Sequence, residues 1–289
     1  MMTVAAAALL SVSVTSAVPP PKVRLPDEAA GIDQIVAALI SVYDQFDVVA
    51  LGESHEQKVE SDLRVALVRH PDFAKKVRTI VVEFATTTEQ TTLDRYIRGE
   101  NVSRAQLERV RPGQLGSLTS DDPIYMDFFA AVRDVNSRLP ADARIRVFGG
   151  EDNRNRDTAA VSILKEHVLE KQGKALVIYG WAHFSRAAGL GGIVARLDAN
   201  YPGRTFTVLP VRGQRNYQKF DRALKTQARP VMVPLQRLPF RDFTAEEFVG
   251  GELVTCLDAR CKNVRSVFKG STLTLGQMAD AAFYYVGGR

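Results

Sequence analysis

Apolar residues follow two different spacings along this chain, and the switches between them mark out its elements. From Ile32 to Tyr43 the positions Ile32, Ile35, Val36, Leu39, Ile40 and Tyr43 recur three and four apart, which predicts an amphipathic helix. Asp47 to Gly52 is instead a short continuous apolar run closed by glycine, the pattern of a strand buried on both faces. Glu60 to Arg69 returns to helical spacing and stops at His70-Pro71. Thr79 to Phe84 is a second buried strand, rich in β-branched residues. A third strand is expected at Arg144–Gly150, a fourth at Lys174–Gly180 and a fifth at Thr205–Val211, with helices at Arg156–Glu170 and about Leu190–Asn200 between them. This alternation predicts an α/β fold with a mostly parallel sheet flanked by helices.

Between the second and third strands the chain inserts a longer, mostly helical segment. Thr91–Ile97, Arg104–Val110 and Tyr125–Asn136 are its helices, and the stretch RPGQLGSLTSDDP from Arg111 to Pro123 interrupts them where a lid or substrate-binding segment would sit. After Val211 the pattern weakens. Val231–Leu235 and Glu252–Cys256 read as edge strands, and Thr274–Tyr285 as a final helix and short strand.

Composition narrows the class. The chain has 289 residues, 45% hydrophobic and 25% charged, which excludes collagenous, disordered and disulfide-dense proteins. Its 38 Lys and Arg exceed its 33 Asp and Glu by only five, and the basic residues are scattered, so no nucleic-acid partner is expected. A small molecule or peptide is the expected substrate. Residues 1–18, MMTVAAAALLSVSVTSAV, are uncharged, apolar from Val4 to Val14 and end in small residues, as an export signal does, although no Lys or Arg precedes the apolar part. The segment is too short for a stable membrane span, so the expected location is periplasmic or secreted. Residues 19–30, opening on Pro19-Pro20-Pro21, read as a stiff Pro-rich spacer and residues 31–289 as one domain. Cys256 and Cys261, the only cysteines, are close enough to close a small disulfide loop in an oxidising compartment, or they are two unlinked thiols in a reducing one.

The chemistry-bearing residues fall where the strands end. The first strand runs into Gly52-Glu53-Ser54-His55, the second into Glu83, the third into Glu151-Asp152, and the fourth into Gly180-Trp181-Ala182-His183. Ligands of an open α/β sheet bind beyond the carboxyl ends of the strands, so parallel, adjacent strands would bring Glu53, His55, Glu83, His183 and Glu151 or Asp152 together. One histidine alone is more often a packed core residue, but two of the chain's four stand in matching Gly-x-x-His contexts. His70 and His167 have no such context, and Glu151 and Asp152 are as well suited to capping the next helix. Two chemistries fit this set. One is a divalent ion (Mn, Co or Zn) held by His55, His183, Glu83 and Glu151, which acidifies a bound water. The other is metal-free hydrolysis, with His55 taking a proton from water, a carboxylate orienting its ring, and an Arg or His183 steadying the oxyanion. Both describe a hydrolase. No G-x-S-x-G elbow, Walker A loop or G-x-G-x-x-G follows a strand.

Gly52-Glu53-Ser54-His55, Glu83, the Arg154-Asn155-Arg156-Asp157 segment, Gly180-Trp181-Ala182-His183 and the closing Asp280-x-x-x-Tyr284-Tyr285 resemble, in this order, the erythromycin esterase/ChaN-like superfamily, which includes the TraB and Tiki proteins. The resemblance runs from about Val48 to Leu197. It implies a divergent α/β fold with its site at the strand ends, a core of Glu53, His55, Glu83 and His183, and Asp152, Arg154 or Arg156 as accessory groups. A single residue separates Glu53 from His55 where the esterases have two, which places the motif nearer the ChaN and Tiki branch. It also admits an alternative function, haem or iron binding without turnover, in which a histidine, Tyr125 or Tyr179 would supply the axial ligand.

Overall fold

The computed structural model describes residues 29–111, 123–152, 156–186, 192–213, 218–224, 230–249, 254–256, 264–266 and 268–286. In chain order these form β1 (Ala29–Ala30), α1 (Ile32–Val42), β2 (Val48–Glu53), α2 (Lys58–Arg69), α3 (Phe73–Lys76), β3 (Thr79–Thr86), α4 (Gln90–Ile97), α5 (Arg104–Val110), α6 (Pro123–Ser137), β4 (Arg146–Glu151), α7 (Arg156–Leu164), β5 (Ala175–Gly180), α8 (Ile193–Asn200), β6 (Thr205–Gly213), α9 (Gln218–Ala223), β7 (Val231–Pro234), α10 (Ala245–Val249), β8 (Val254–Cys256), β9 (Val264–Ser266), α11 (Leu275–Met278) and β10 (Ala281–Val286). Eight strands make one sheet in the order β1-β7-β10-β6-β2-β5-β3-β4. From β10 to β4 every pairing is parallel, and only β7 and β1 run antiparallel to their neighbours.

The four strands that end in candidate residues, β2, β5, β3 and β4, are therefore neighbours and parallel. Their continuous apolar runs reflect burial on both faces. Val49, Leu51, Ile80, Val82, Leu176 and Ile178 join the core under α1, α2 and α6, while Val48, Ala50, Val81, Val177 and Tyr179 join a second core under α7 and α8. The insertion between β3 and β4 is helical as expected, with α4, α5 and α6 packed on the first of these cores. After α7 the helix widens into a single turn over Lys165–Leu169, closed by a bond from the Glu170 amide to the Lys165 carbonyl, five residues back. Among the described residues no helix is long and apolar enough to cross a membrane.

The C-terminal part departs from the sequence expectation. Val231–Pro234 is not the sheet edge, because Ala29–Ala30, assigned above to the spacer, pairs outside it as β1. Val254–Cys256 pairs with Val264–Ser266 in a separate two-stranded ribbon. The expected final helix and short strand are present as α11 and β10, and β10 lies between β6 and β7. Asp280 fixes it there. Its Oδ2 accepts from the Thr207 amide at 2.7 Å and from Arg186 Nη2 at 2.8 Å, and Arg186 also donates to Asp198 Oδ2 at 2.9 Å and to the Thr205 carbonyl at 2.8 Å. The Asp280→Ala variant leaves the buried Thr207 amide without its acceptor and removes one acceptor from the half-buried Arg186 guanidinium, which keeps Asp198 and the Thr205 carbonyl. It is expected to lose about 2 kcal/mol of unfolding free energy in urea titration, with the m-value kept.

Candidate functional site

Strand register builds the site from the backbone up. Glu53, the last residue of β2, lies opposite Gly180, the last residue of β5, and β3 is bonded to the other side of β5. In β3 the register against β4 shifts between Val82 and Thr86, and Glu83 falls in that irregular stretch. Glu83 is thus inside a strand, not beyond its end. Past Glu53 the chain turns sharply, with His55 and Glu56 both at a φ of 54°, a left-handed conformation that costs energy in a non-glycine residue and clusters at functional sites. His183 sits on the short 3-10 turn Trp181–Phe184 directly after β5.

Two imidazoles result, each held by an acid. His55 Nδ1 lies 2.9 Å from Glu53 Oε1. His183 Nδ1 lies 2.5 Å from Asp157 Oδ1, an acid in the first turn of α7. Between them stands Glu83, whose Oε2 accepts from the Gly180 amide at 2.7 Å and whose Oε1 is 3.4 Å from His183 Nε2. Gly180 is where the two halves meet. A Cβ there would lie 2.7 Å from His55 Nε2 and 3.4 Å from Glu83 Oε2, so only glycine lets the ring approach.

Glu53 is the most heavily engaged group. It is 2% exposed and takes an ion pair from Arg64, itself 1% exposed, on Oε2, while Oε1 also accepts from the Tyr125 hydroxyl at 3.2 Å. The Arg64 guanidinium carbon lies 4.9 Å from the Tyr125 ring centre and 5.1 Å from that of Phe84. One helical turn earlier on α2, Glu60 is buried as well. It accepts from the Ser54 amide at 2.8 Å and from the Tyr285 hydroxyl at 2.6 Å.

These neighbours set the proton affinities. Burial pushes the Glu53 carboxyl up, but Arg64 and the His55 hydrogen bond outweigh it and hold Glu53 below the usual carboxylate range. Burial likewise raises Glu83, and the two imidazoles and the Gly180 amide bring it down to about 2. Burial alone would lower both histidines. Glu53 and Glu83 nevertheless raise His55 above 6.5, and Asp157 with Glu83 raises His183 to about 9. Glu60 is different, since burial dominates and lifts it to about 7.

The convergence expected from the strand ends is present for Glu53, His55, Glu83 and His183. Among the described residues, the donors grouped as a metal cage would require are Glu53, His55 and Glu83, within 4.8 Å of one another. Glu53 has both oxygens engaged already, and Glu83 holds a backbone amide on one oxygen and faces an imidazole with the other. Of this set His55 Nε2 is the ring nitrogen turned away from its own acid. Glu151 ends β4, buried and opposite Thr86 of β3, and Asp152 follows it half-buried. Arg154 lies outside the described residues, as do the Arg156 side chain and Cys261, so the accessory arginines and the disulfide stay with the sequence. Tyr125 and Tyr179 are buried, and Tyr125 is committed to Glu53 and the Glu56 amide, so neither is displayed as an open axial ligand. His70 receives the Asp72 amide and His167 stacks on Phe148 at 4.7 Å, both away from the site as expected.

Sequence reasoning missed Arg64, Glu60, Tyr285 and the role of Asp157. A signal existed for the first two, because Glu60 and Arg64 occupy the same helical stripe as Leu63, Leu67 and Val68. No family model matches this sequence, and no curated protein does. Solved structures do match. A Bacillus cereus protein from structural genomics superposes with a TM-score of 0.56 at 11% identity, covering 92% of this chain and 94% of that one. The erythromycin esterase EreC, as a histidine-to-asparagine mutant in its open conformation, gives 0.56 at 8% identity, covering 90% and 97%. ChaN of Campylobacter jejuni, solved with cofacial haem, gives 0.40 at 13% identity, covering 63% and 87%. At these identities the likeness is one of fold, and the α/β fold expected from the sequence is shared with the Bacillus cereus protein and with EreC.

Proposed function

We propose that this chain is a hydrolase of an ester, amide or peptide bond in which His55 is the general base, and that it is exported. One observation carries the reading. His55 Nδ1 is held by Glu53, which fixes the tautomer with the proton on Nδ1 and leaves the Nε2 lone pair facing the Gly180–Glu83 side. In the step this supports, His55 Nε2 takes a proton from water as the water oxygen attacks the substrate carbonyl carbon. His183, kept protonated by Asp157 and Glu83, steadies the resulting oxyanion through Nε2–H. When the carbonyl carbon releases its leaving group, His55 returns the proton to it. Glu83 stays ionised throughout and balances both rings.

The engaged oxygens of Glu53 and Glu83 favour this metal-free route over a metal cage. Export is proposed on the uncharged apolar segment 1–18 alone. The fold shared with an esterase supports hydrolysis as a class.

The test is a panel of esters, lactones and peptides, assayed with EDTA and with added Mn, Co or Zn. Activity is expected to survive EDTA and to fall about 10²–10⁴-fold in His55→Ala with the circular dichroism spectrum unchanged. Activity abolished by EDTA and restored by one metal overturns the metal-free step. An inactive protein that gives a Soret band with haemin, lost in His55→Ala, overturns the hydrolase reading in favour of haem binding.

The proton affinities fix the pH profile. His55 must be neutral to act and its pKa is raised, so kcat/KM should climb through a limb centred above pH 6.5. His183 must be charged, so the rate should fall again near pH 9, and Asp157→Asn should move that alkaline limb to lower pH. Because the folded His183 binds its proton more tightly than the unfolded chain does, the stability it contributes is complete below pH 6.5 and lost as pH rises through about 9. Thermal melts across this window should show the loss in the wild type and not in His183→Ala.

A further inference from the structure

Arg64 presents a contradiction on its own helix. Its Nη1 is paired with Glu53, yet its Nε and Nη2 are buried with no hydrogen-bond partner in the protein. The aromatic rings around the guanidinium offer it their faces, which satisfies its charge and not its N–H edges. Two orphaned charged donors would be costly to keep. Arg64 also lines a small pocket with the polar groups Glu53 and Glu60 and the apolar Leu51, Leu63, Ile178 and Phe283, with about 10 Å³ for the centre of a water molecule. That is room for about one water, in a site with polar partners, as a buried water requires.

We infer that one structural water occupies this cavity, accepting from the free N–H groups of Arg64 and donating to Glu60, and so joins the two polar side chains of α2 beneath the Glu53–His55 pair. Glu60 then has two grips on the base. It holds the Ser54 amide directly, and through the water it fixes the guanidinium that orients Glu53. Glu60 touches no substrate, so it is a positioning residue. This second part rests on the hydrolase reading, whereas the water itself does not.

The test separates the two. In the full-length protein labelled with ¹⁵N-arginine, the Arg64 Nε–H signal should show a cross-peak to a long-lived water, and a high-resolution crystal structure should show density between Arg64 and Glu60. A signal shifted strongly upfield by a ring, without a water cross-peak, overturns the site. Ile178→Phe, which fills the cavity, should remove the cross-peak and lower Tm, whereas a dry void would leave the wild type without a cross-peak and the filled variant no less stable. If that variant does not fold, the wild-type spectrum still decides. For positioning, Glu60→Ala should lower kcat at least about 10-fold with KM unchanged, and Glu60→Gln, which keeps an acceptor, should restore most of it. Equal losses in both variants, or a rise in KM alone, overturn the positioning role while leaving the water intact.

Discussion

A charged guanidinium sits where a leucine would be expected, on the inner stripe of a helix packed against a sheet, and the rest of the site is organised around neutralising it. Arg64 cannot shed its proton, so its burial is tolerable only because Glu53 ends β2 within reach and two aromatic rings flank it. Losing either partner of such a pair typically costs about 3–5 kcal/mol, because the other charge stays buried and alone. The pair is thus a poor way to gain stability and a good way to fix one geometry. With Oε2 committed to Arg64, Glu53 has Oε1 left for His55 and Tyr125, and the imidazole is oriented by a carboxylate that cannot itself rotate away.

The same logic gives two chemically similar dyads different surroundings, on which their proposed roles rest. Glu53 divides its charge between Arg64, a permanent cation, and His55, so the pull it exerts on the His55 proton is moderated. Asp157 and Glu83 both act on His183, and its proton is held to about 9. Two rings whose proton affinities are both raised, His183 to about 9, stand on either side of Glu83, the arrangement the proposed acid–base step uses. Glu60 lies behind the base and carries the one carboxyl in the cluster that burial has lifted to about 7.

Much of this could be read from residue order, and what could not has a physical reason. The parallel strands β2, β3, β4 and β5 were legible because burial on both faces demands continuous apolar runs, and the repeated Gly-x-x-His pointed to one end of the sheet. The final helix and short strand were legible too, but the residue order does not say that β10 is interior in the sheet. Its partners are distant in the chain, and only the fold shows Tyr285 bonded to Glu60 and Tyr284 to Asp221. Glu60 and Arg64 escaped notice because charged residues on a helix are usually solvated. The spacing puts them on the stripe of Leu63, Leu67 and Val68, and the packing of α1 and α6 against α2 is what shows that the charged residues of that stripe are buried with it. Asp157 looked like an ordinary first-turn acid, and its partner is 26 residues away.

Why the convergence occurs at this end follows from the β2–β5 register. Glu53 and Gly180 are cross-strand partners at the last rung of the ladder, so the residues two and three beyond them, His55 and His183, leave the sheet from adjacent points. A side chain on residue 180 would strike His55 Nε2, the atom of the proposed proton transfer, and the Gly180 amide would still be needed to hold Glu83. The glycine therefore does two things at once, presenting a backbone donor to the central carboxylate and removing the bulk that would separate the rings. Either motif taken alone supplies an imidazole. Only the two strands side by side, with glycine at the contact, supply a pair close enough to share one carboxylate.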